Sequence, residues 1–143
     1  MVRHGIVGNE YFQVSEREVY RAGPSYTVDT LAELKEDLGS RGELYLVVGM
    51  DALRGITEWH EARRLFDMAT VVGMARQGRK EVKGSVLEQV GEDSFKRTVS
   101  IDGPSVGISS TEIRKRVANG RSIRHMVPLG VEDYIYEKGL YKD

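Results

Sequence analysis

Three consecutive hydroxyls, Ser109, Ser110 and Thr111, are followed by Arg114 and Lys115, a set of side chains suited to holding phosphate. They fall where an extended segment turns into a helix. Ser109 and Glu112 stand in the S-x-x-E relation of a capping box, in which each side chain satisfies a backbone N–H at the helix start. Ile113, Val117 and the Asn119-Gly120 stop then predict one short amphipathic helix. Its free N–H groups and the positive end of its dipole face the same point as the hydroxyls, with the Arg114 guanidinium one turn further on. Hydroxyls, free amides and a fork-shaped cation make a cradle for a polyphosphate. A Ser/Thr-rich cap beside an arginine is also how many ordinary helices begin. Spacing alone leaves both readings open.

A second set of residues sits around two apolar runs. Leu44-Tyr45-Leu46-Val47-Val48, ended by Gly49, predicts a strand buried on both faces, as in a parallel sheet. Gly49 and Asp51 then lie at its carboxyl end, where open α/β sheets place their ligands. Asp51 either holds a ribose hydroxyl or caps the next helix. A second helix is expected to be capped by Thr57 and to carry Trp59, Ala62, Leu65 and Phe66, with the only tryptophan in its first turn. Trp59 offers an aromatic face for stacking a base or pyridine ring; packing into the core is the competing use. Ala69 to Ala75 predicts a second buried strand with Arg76 at its end. Two strands joined through a helix make a β–α–β unit with a right-handed crossover.

The remaining elements frame these two sets. Residues 1–10 carry little pattern, because Gly5 and Gly8 break any helix, and Tyr11 to Val14 is a short strand candidate. Gly23-Pro24 marks a loop before a well-specified helix, with Val28, Leu31, Leu34 and Leu38 at helical spacing, Asp29 in the first turn and Gly39 as its stop. Ser25 or Thr27 is its expected cap. Further on, Val82, Val86, Leu87 and Val90 allow a helix, Lys96 to Ile101 allows a strand, and Gly103-Pro104 makes a turn. Val131, Tyr134 and Ile135 define a last helix that follows Pro128 and stops at Gly139, with Glu132, Asp133 and Glu137 on its solvated face.

The composition narrows the class. A chain of 143 residues, 40% hydrophobic and 30% charged, is expected to form one globular domain over residues 1–143. Its net charge of −1 gives no general attraction to nucleic acid, so no nucleic-acid partner is expected. No cysteine is present, which removes disulfides, thiolate zinc sites and thiol catalysis and fits a reducing cytoplasm. No apolar run reaches the roughly 18 residues of a membrane span, so no membrane partner is expected. His4, His60 and His125 are scattered without metal-ligand spacing, and no protein-held metal is expected.

In this order the pieces resemble the nicotinate-nucleotide adenylyltransferase family, within the larger group of adenylyl- and cytidylyltransferases that carry an H-x-G-H motif. The matching stretches are Ser25-Tyr26-Thr27-Val28-Asp29-Thr30-Leu31, Val48-Gly49-Met50-Asp51-Ala52-Leu53 with Trp59, Ile108 to Arg114, and the ending from Val127-Pro128 to Gly139-Leu140-Tyr141. The resemblance implies an α/β fold with a Rossmann-like parallel sheet and a C-terminal helical part. It implies that Ser109, Ser110, Thr111 and Arg114 line the site for the ATP triphosphate. Thr27, Trp59 and His60 would surround the nicotinate ring, Trp59 by stacking and the others partly through backbone amides. Gly49 and Asp51 would line the mononucleotide and ribose region. Arg76 matches a family arginine usually followed by Pro-Gly, where this chain has Gln77-Gly78.

The implied activity is adenylyl transfer from ATP to nicotinate mononucleotide, with Mg²⁺ carried by the substrate phosphates. No H-x-G-H is present, so the family's catalytic histidines have no counterpart here. The chain is therefore expected to be a fragment, or to start from a misplaced codon, rather than to be a degenerate protein. An unpaired apolar sheet edge favouring self-association is expected in consequence. Two alternatives are a non-catalytic nucleotide-binding module and another adenylyltransferase, such as the pantetheine-phosphate type.

Overall fold

The two apolar runs become neighbouring parallel strands. In the computed structural model, which describes residues 1–76, 96–104 and 106–142, β1 (Tyr45–Gly49) pairs with β2 (Thr70–Arg76), Tyr45 opposite Thr70 and Gly49 opposite Met74. On the other side of β2 lies β3 (Thr98–Gly103), also parallel, with Val71 opposite Thr98 and Arg76 opposite Gly103. The strand order is β1-β2-β3. Parallel neighbours need a crossover connection. Between β1 and β2 it contains α4 (Met50–Arg54), a 3₁₀ turn (Ile56–Glu58) and α5 (Ala62–Met68). The expected α/β class with a parallel sheet is what forms. The helix expected around Val82 to Val90 lies outside the described residues.

The chain divides into two compact units, Arg17–Ser105 and the pair of segments Met1–Glu16 and Val106–Asp143. In the first, Leu53, Ile56, Leu65, Phe66 and Val71 are buried together with Val28 and Leu31 of α3 (Thr27–Leu38). A short helix, α2 (Arg17–Tyr20), precedes α3; Arg17 ion-pairs with Asp37, and Arg21 with Glu33 at 2.6 Å. The exposed Arg17 pair and the part-buried Arg21 pair tie the approach to α3 onto its outer face, and the Arg17 pair adds little stability by itself.

β1 departs from the expected two-sided burial. Leu46 and Val48 pack on the core, whereas Tyr45 and Val47 remain 58% and 56% exposed. The run is apolar throughout, but among the described residues only one face is covered, and β1 pairs with β2 alone. The central strand β2 is the buried one, through Val71, Val72 and Ala75.

Gly73 sits in β2 because α4 approaches too closely for a side chain. A Cβ there would lie 2.6 Å from Leu53 Cδ2 and 3.2 Å from Met50 Sδ, both buried. Gly73→Ala is expected to destabilise the protein by about 1–3 kcal/mol, the usual cost of overpacking a filled core. Urea unfolding checks this: the midpoint should fall with the slope unchanged.

In the second unit, α6 (Ser110–Ala118) and α7 (Leu129–Glu137) share a small core of Val117, Ile123 and Ile135. Both helices end as the sequence predicts. Gly120 and Gly139 take φ values of 65° and 59°, the left-handed conformation open to glycine. Arg121 N–H then donates to Arg116 O and Leu140 N–H to Ile135 O, at 2.8 and 3.0 Å, completing a Schellman motif at each end.

The N-terminal segment differs from expectation. Val2–Gly5 forms one helical turn, α1, despite Gly5, because it packs on α7 with His4 and Tyr134 ring centroids 5.1 Å apart. Tyr11 to Val14 is not a strand. Tyr11 and Phe12 are 88% and 62% exposed and held by a turn on Asn9, and among the described residues neither enters a strand ladder. Among the described residues no helix is long and apolar enough to cross a membrane.

Candidate functional site

In the unit spanning Arg17–Ser105, the start of α3 and the segment after the 3₁₀ turn enclose a recess of about 360 Å³ lined by Ser25, Tyr26, Thr27, Glu58, Trp59 and His60. α3 begins without a side-chain cap. Its N-cap is Tyr26, in extended conformation, and the expected caps are otherwise placed: the Ser25 hydroxyl donates to Glu18 O at 3.1 Å, and Thr27 is the first helical residue. Asp29 N–H makes the first turn's bond, to Tyr26 O at 3.1 Å. The amides of Thr27 and Val28 come before that bond, at the positive end of a 12-residue helix.

Opposite them, the chain around Trp59 is not the helix the spacing predicts. The 3₁₀ turn closes with Trp59 N–H on Ile56 O at 3.1 Å, and Trp59 itself is extended at φ −71°, ψ 151°. Glu61 follows in the left-handed conformation at φ 50°, and only then does α5 begin. Thr57 therefore caps no α-helix and Trp59 lies between helices. Two consequences follow for Trp59. Its ring is half-buried against the core, and one part of it still faces the recess. The adjoining imidazole of His60 stacks on the Tyr26 ring, centroids 4.1 Å apart and planes 27° from parallel. Ser25 was expected only as a helix cap and Tyr26 only as part of the family-like stretch, and neither they nor Glu58 were expected among the site residues. Only the position of Tyr26 between Ser25 and Thr27 could have flagged it.

Gly49, Asp51 and Arg76 are not among the recess-lining residues. They lie at the carboxyl ends of adjacent strands: Gly49 closes β1 and N-caps α4, and Arg76 closes β2 opposite Gly103. Gly49 has an ordinary negative φ, and a Cβ on it would meet nothing within 4 Å, so its own neighbours do not demand glycine. Asp51 is exposed in the first turn of α4 and accepts from Arg54 Nη1 at 3.1 Å.

In the other unit, Ser109 is the N-cap of α6, extended at φ −128°, ψ 152°, and its Oγ accepts from Glu112 N–H at 3.1 Å. The reciprocal half of the capping box is replaced: the Glu112 carboxylate turns to Arg116, 3.7 Å away. Because Ser109 Oγ accepts in the cap, its own proton remains available to donate. Ser110 and Thr111 are exposed on the first turn and Arg114 one turn further on, its Nη2 lying 3.5 Å from Thr111 Oγ1. Among the described residues no group of three His, Asp or Glu side chains could hold a metal ion.

The cytidylyltransferase-like family model matches residues 1–116. A probable nicotinate-nucleotide adenylyltransferase of Roseiflexus castenholzii is 42% identical over 142 residues, covering 99% of this chain and 70% of the relative. Its counterpart in Thermus thermophilus is 44% identical over 131 residues, covering 92% of this chain and 64% of the relative. The Plasmodium falciparum nicotinic acid mononucleotide adenylyltransferase, solved in complex with NaAD, superposes with a TM-score of 0.61 at 26% identity, covering 82% of this chain and 58% of that one. The same enzyme solved with APC gives a TM-score of 0.62 at 24% identity, covering 84% and 60%. On the extent of these matches, the chain belongs to the cytidylyltransferase-like family and, within it, to the nicotinate-nucleotide adenylyltransferases.

Proposed function

We propose that this protein serves adenylyl transfer from ATP to nicotinate mononucleotide, yielding nicotinate adenine dinucleotide and pyrophosphate. The observation that carries the reading is the recess between α3 and Trp59. It combines an aromatic face with the uncapped start of a helix, which suits a flat ring bearing a carboxylate. In this reading Trp59 stacks on the pyridine, and the amides of Thr27 and His60 take the carboxylate. Gly49 and Asp51, at the strand ends, take the mononucleotide and its ribose, with Arg76 beside them on β2. Ser109, Ser110, Thr111 and Arg114 hold the triphosphate.

The reaction needs no side-chain nucleophile. A phosphate oxygen of nicotinate mononucleotide bonds to the α-phosphorus of ATP while the bond from that phosphorus to the bridging oxygen breaks, and pyrophosphate leaves. Positioning and neutralisation of charge set the rate. Mg²⁺, riding on the substrate phosphates and waters rather than in a protein cage, supplies part of that neutralisation when bound. Arg114 contributes the rest from the protein side by pairing with phosphate oxygens that gain charge as the bond breaks. A chain without cysteine suits this work in the cytoplasm.

Pyrophosphate release tests the reading, with ATP, Mg²⁺ and either nicotinate mononucleotide or pantetheine phosphate as acceptor. This chain and a form extended upstream in the same reading frame are assayed together. Release with the nicotinate acceptor alone is the expected result. Release with pantetheine phosphate instead would transfer the assignment to that enzyme class. Binding of both ligands without release from either form would make the protein a nucleotide-binding module.

A further inference from the structure

Tyr26 and His60 do something in the recess that neither the core nor the backbone requires. Tyr26 is 40% exposed and His60 is exposed, so their rings stack at the surface rather than filling the interior. Beneath the surface the segments they join meet through the core, on which Trp59 packs and to which Val28 belongs; at the mouth of the recess the ring stack joins them. Among the described residues no hydrogen bond links 25–27 to 58–60. Both segments are also irregular: Tyr26 and Trp59 are extended, and Glu61 is held left-handed next to His60. A chain path that leaves regular structure and passes through a left-handed residue has no internal ladder to fix it. The 4.1 Å stack supplies an attachment across the recess, at the point where Thr27 follows one ring and Trp59 precedes the other.

We propose that the Tyr26–His60 ring stack is a positioning clasp, setting the distance between the Trp59 ring and the amides at the start of α3, and hence the fit of the flat ligand between them. Tyr26 is then a positioning residue, acting through His60 rather than on the reacting atoms. The proposal rests on the nicotinate reading above. What matters in it is the aromatic ring at position 26 and not its hydroxyl, which makes Tyr26→Phe the conservative control.

Nicotinate mononucleotide affinity can be read from the fluorescence of Trp59, the only tryptophan in the chain. Tyr26→Ala is expected to weaken nicotinate mononucleotide by about 2- to 10-fold, the range an aromatic pair supports. Tyr26→Phe should bind as the parent does, ATP affinity should not change in either variant, and His60→Ala added to Tyr26→Ala should cause no further loss. The His60 imidazole proton resonances report the stack without ligand: upfield-shifted by the facing ring in the parent and in Tyr26→Phe, and relieved in Tyr26→Ala. Parent-like nicotinate mononucleotide affinity in Tyr26→Ala overturns the proposal. So does parallel loss of both ligands, the mark of a general structural fault. Should the parent bind no nicotinate mononucleotide while its His60 resonances show the stack formed, the substrate reading fails first and the clasp's role falls with it.

Discussion

Removing the Trp59 ring is expected to weaken nicotinate mononucleotide between about 5- and 150-fold, because stacking a heteroaromatic ring on an aromatic side chain is worth about 1–3 kcal/mol. ATP binding should be unchanged, since the residues assigned to the triphosphate are on α6. Trp59→Ala has a second consequence, however. The ring also packs against the core cluster of Leu65, Phe66 and Val28, so its loss opens space beside buried side chains. Trp59→Phe separates the two effects by keeping an aromatic face and most of the packing. Calorimetric titration of both variants, beside their thermal unfolding, provides the check. Phe should recover most of the affinity and most of the stability. If a folded Trp59→Ala protein binds nicotinate mononucleotide as the parent does, the ring is core packing and the pyridine subsite lies elsewhere.

That division of labour was not visible in the sequence, and the reason is local. Leu65 and Phe66 sit at helical spacing from Ala62, and extending that pattern back to Thr57 makes one helix. What interrupts it is Glu61 in the left-handed conformation, a state signalled in sequences by Gly or Asn and not by Glu. Tertiary packing decides it, and the result turns a helical tryptophan into one presented from an irregular segment. The same limit explains Tyr11 to Val14. A short apolar run becomes a strand only with a partner, and partners are not written in the run itself. By contrast, β2 was legible because an apolar run between polar ends, with Val71, Val72 and Ala75 buried, admits few alternatives. The ends of α6 and α7 were legible for an equally local reason, the glycines that complete their Schellman motifs. β1 was legible as a strand but not in its exposure, because an all-apolar run says that both faces could be covered and not that both are.

The helix start at Ser109 shows why the second large effect belongs to Arg114. Ser109→Ala would remove a cap whose Oγ accepts from Glu112 N–H, costing about 1 kcal/mol of stability and confusing any loss of ligand with loss of helix. Arg114 is different. It is exposed, and the 3.5 Å approach to Thr111 Oγ1 is at the outer limit of a hydrogen bond, so Arg114→Ala should leave the thermal midpoint nearly unchanged. Its expected effect is on ATP: a hydrogen bond to a charged group is worth about 1.5–3 kcal/mol, or roughly 10- to 150-fold in affinity. Arg114→Lys keeps the charge but not the planar fork, and should fall between the parent and the alanine variant. Because the site is open to solvent, the difference between parent and Arg114→Ala should shrink as salt is raised. Nicotinate mononucleotide should bind all three proteins alike. Equal weakening of both ligands by Arg114→Ala would mean that Arg114 supports the fold of its unit rather than the triphosphate. No change in ATP affinity would leave the Ser109 turn as a helix cap and nothing more.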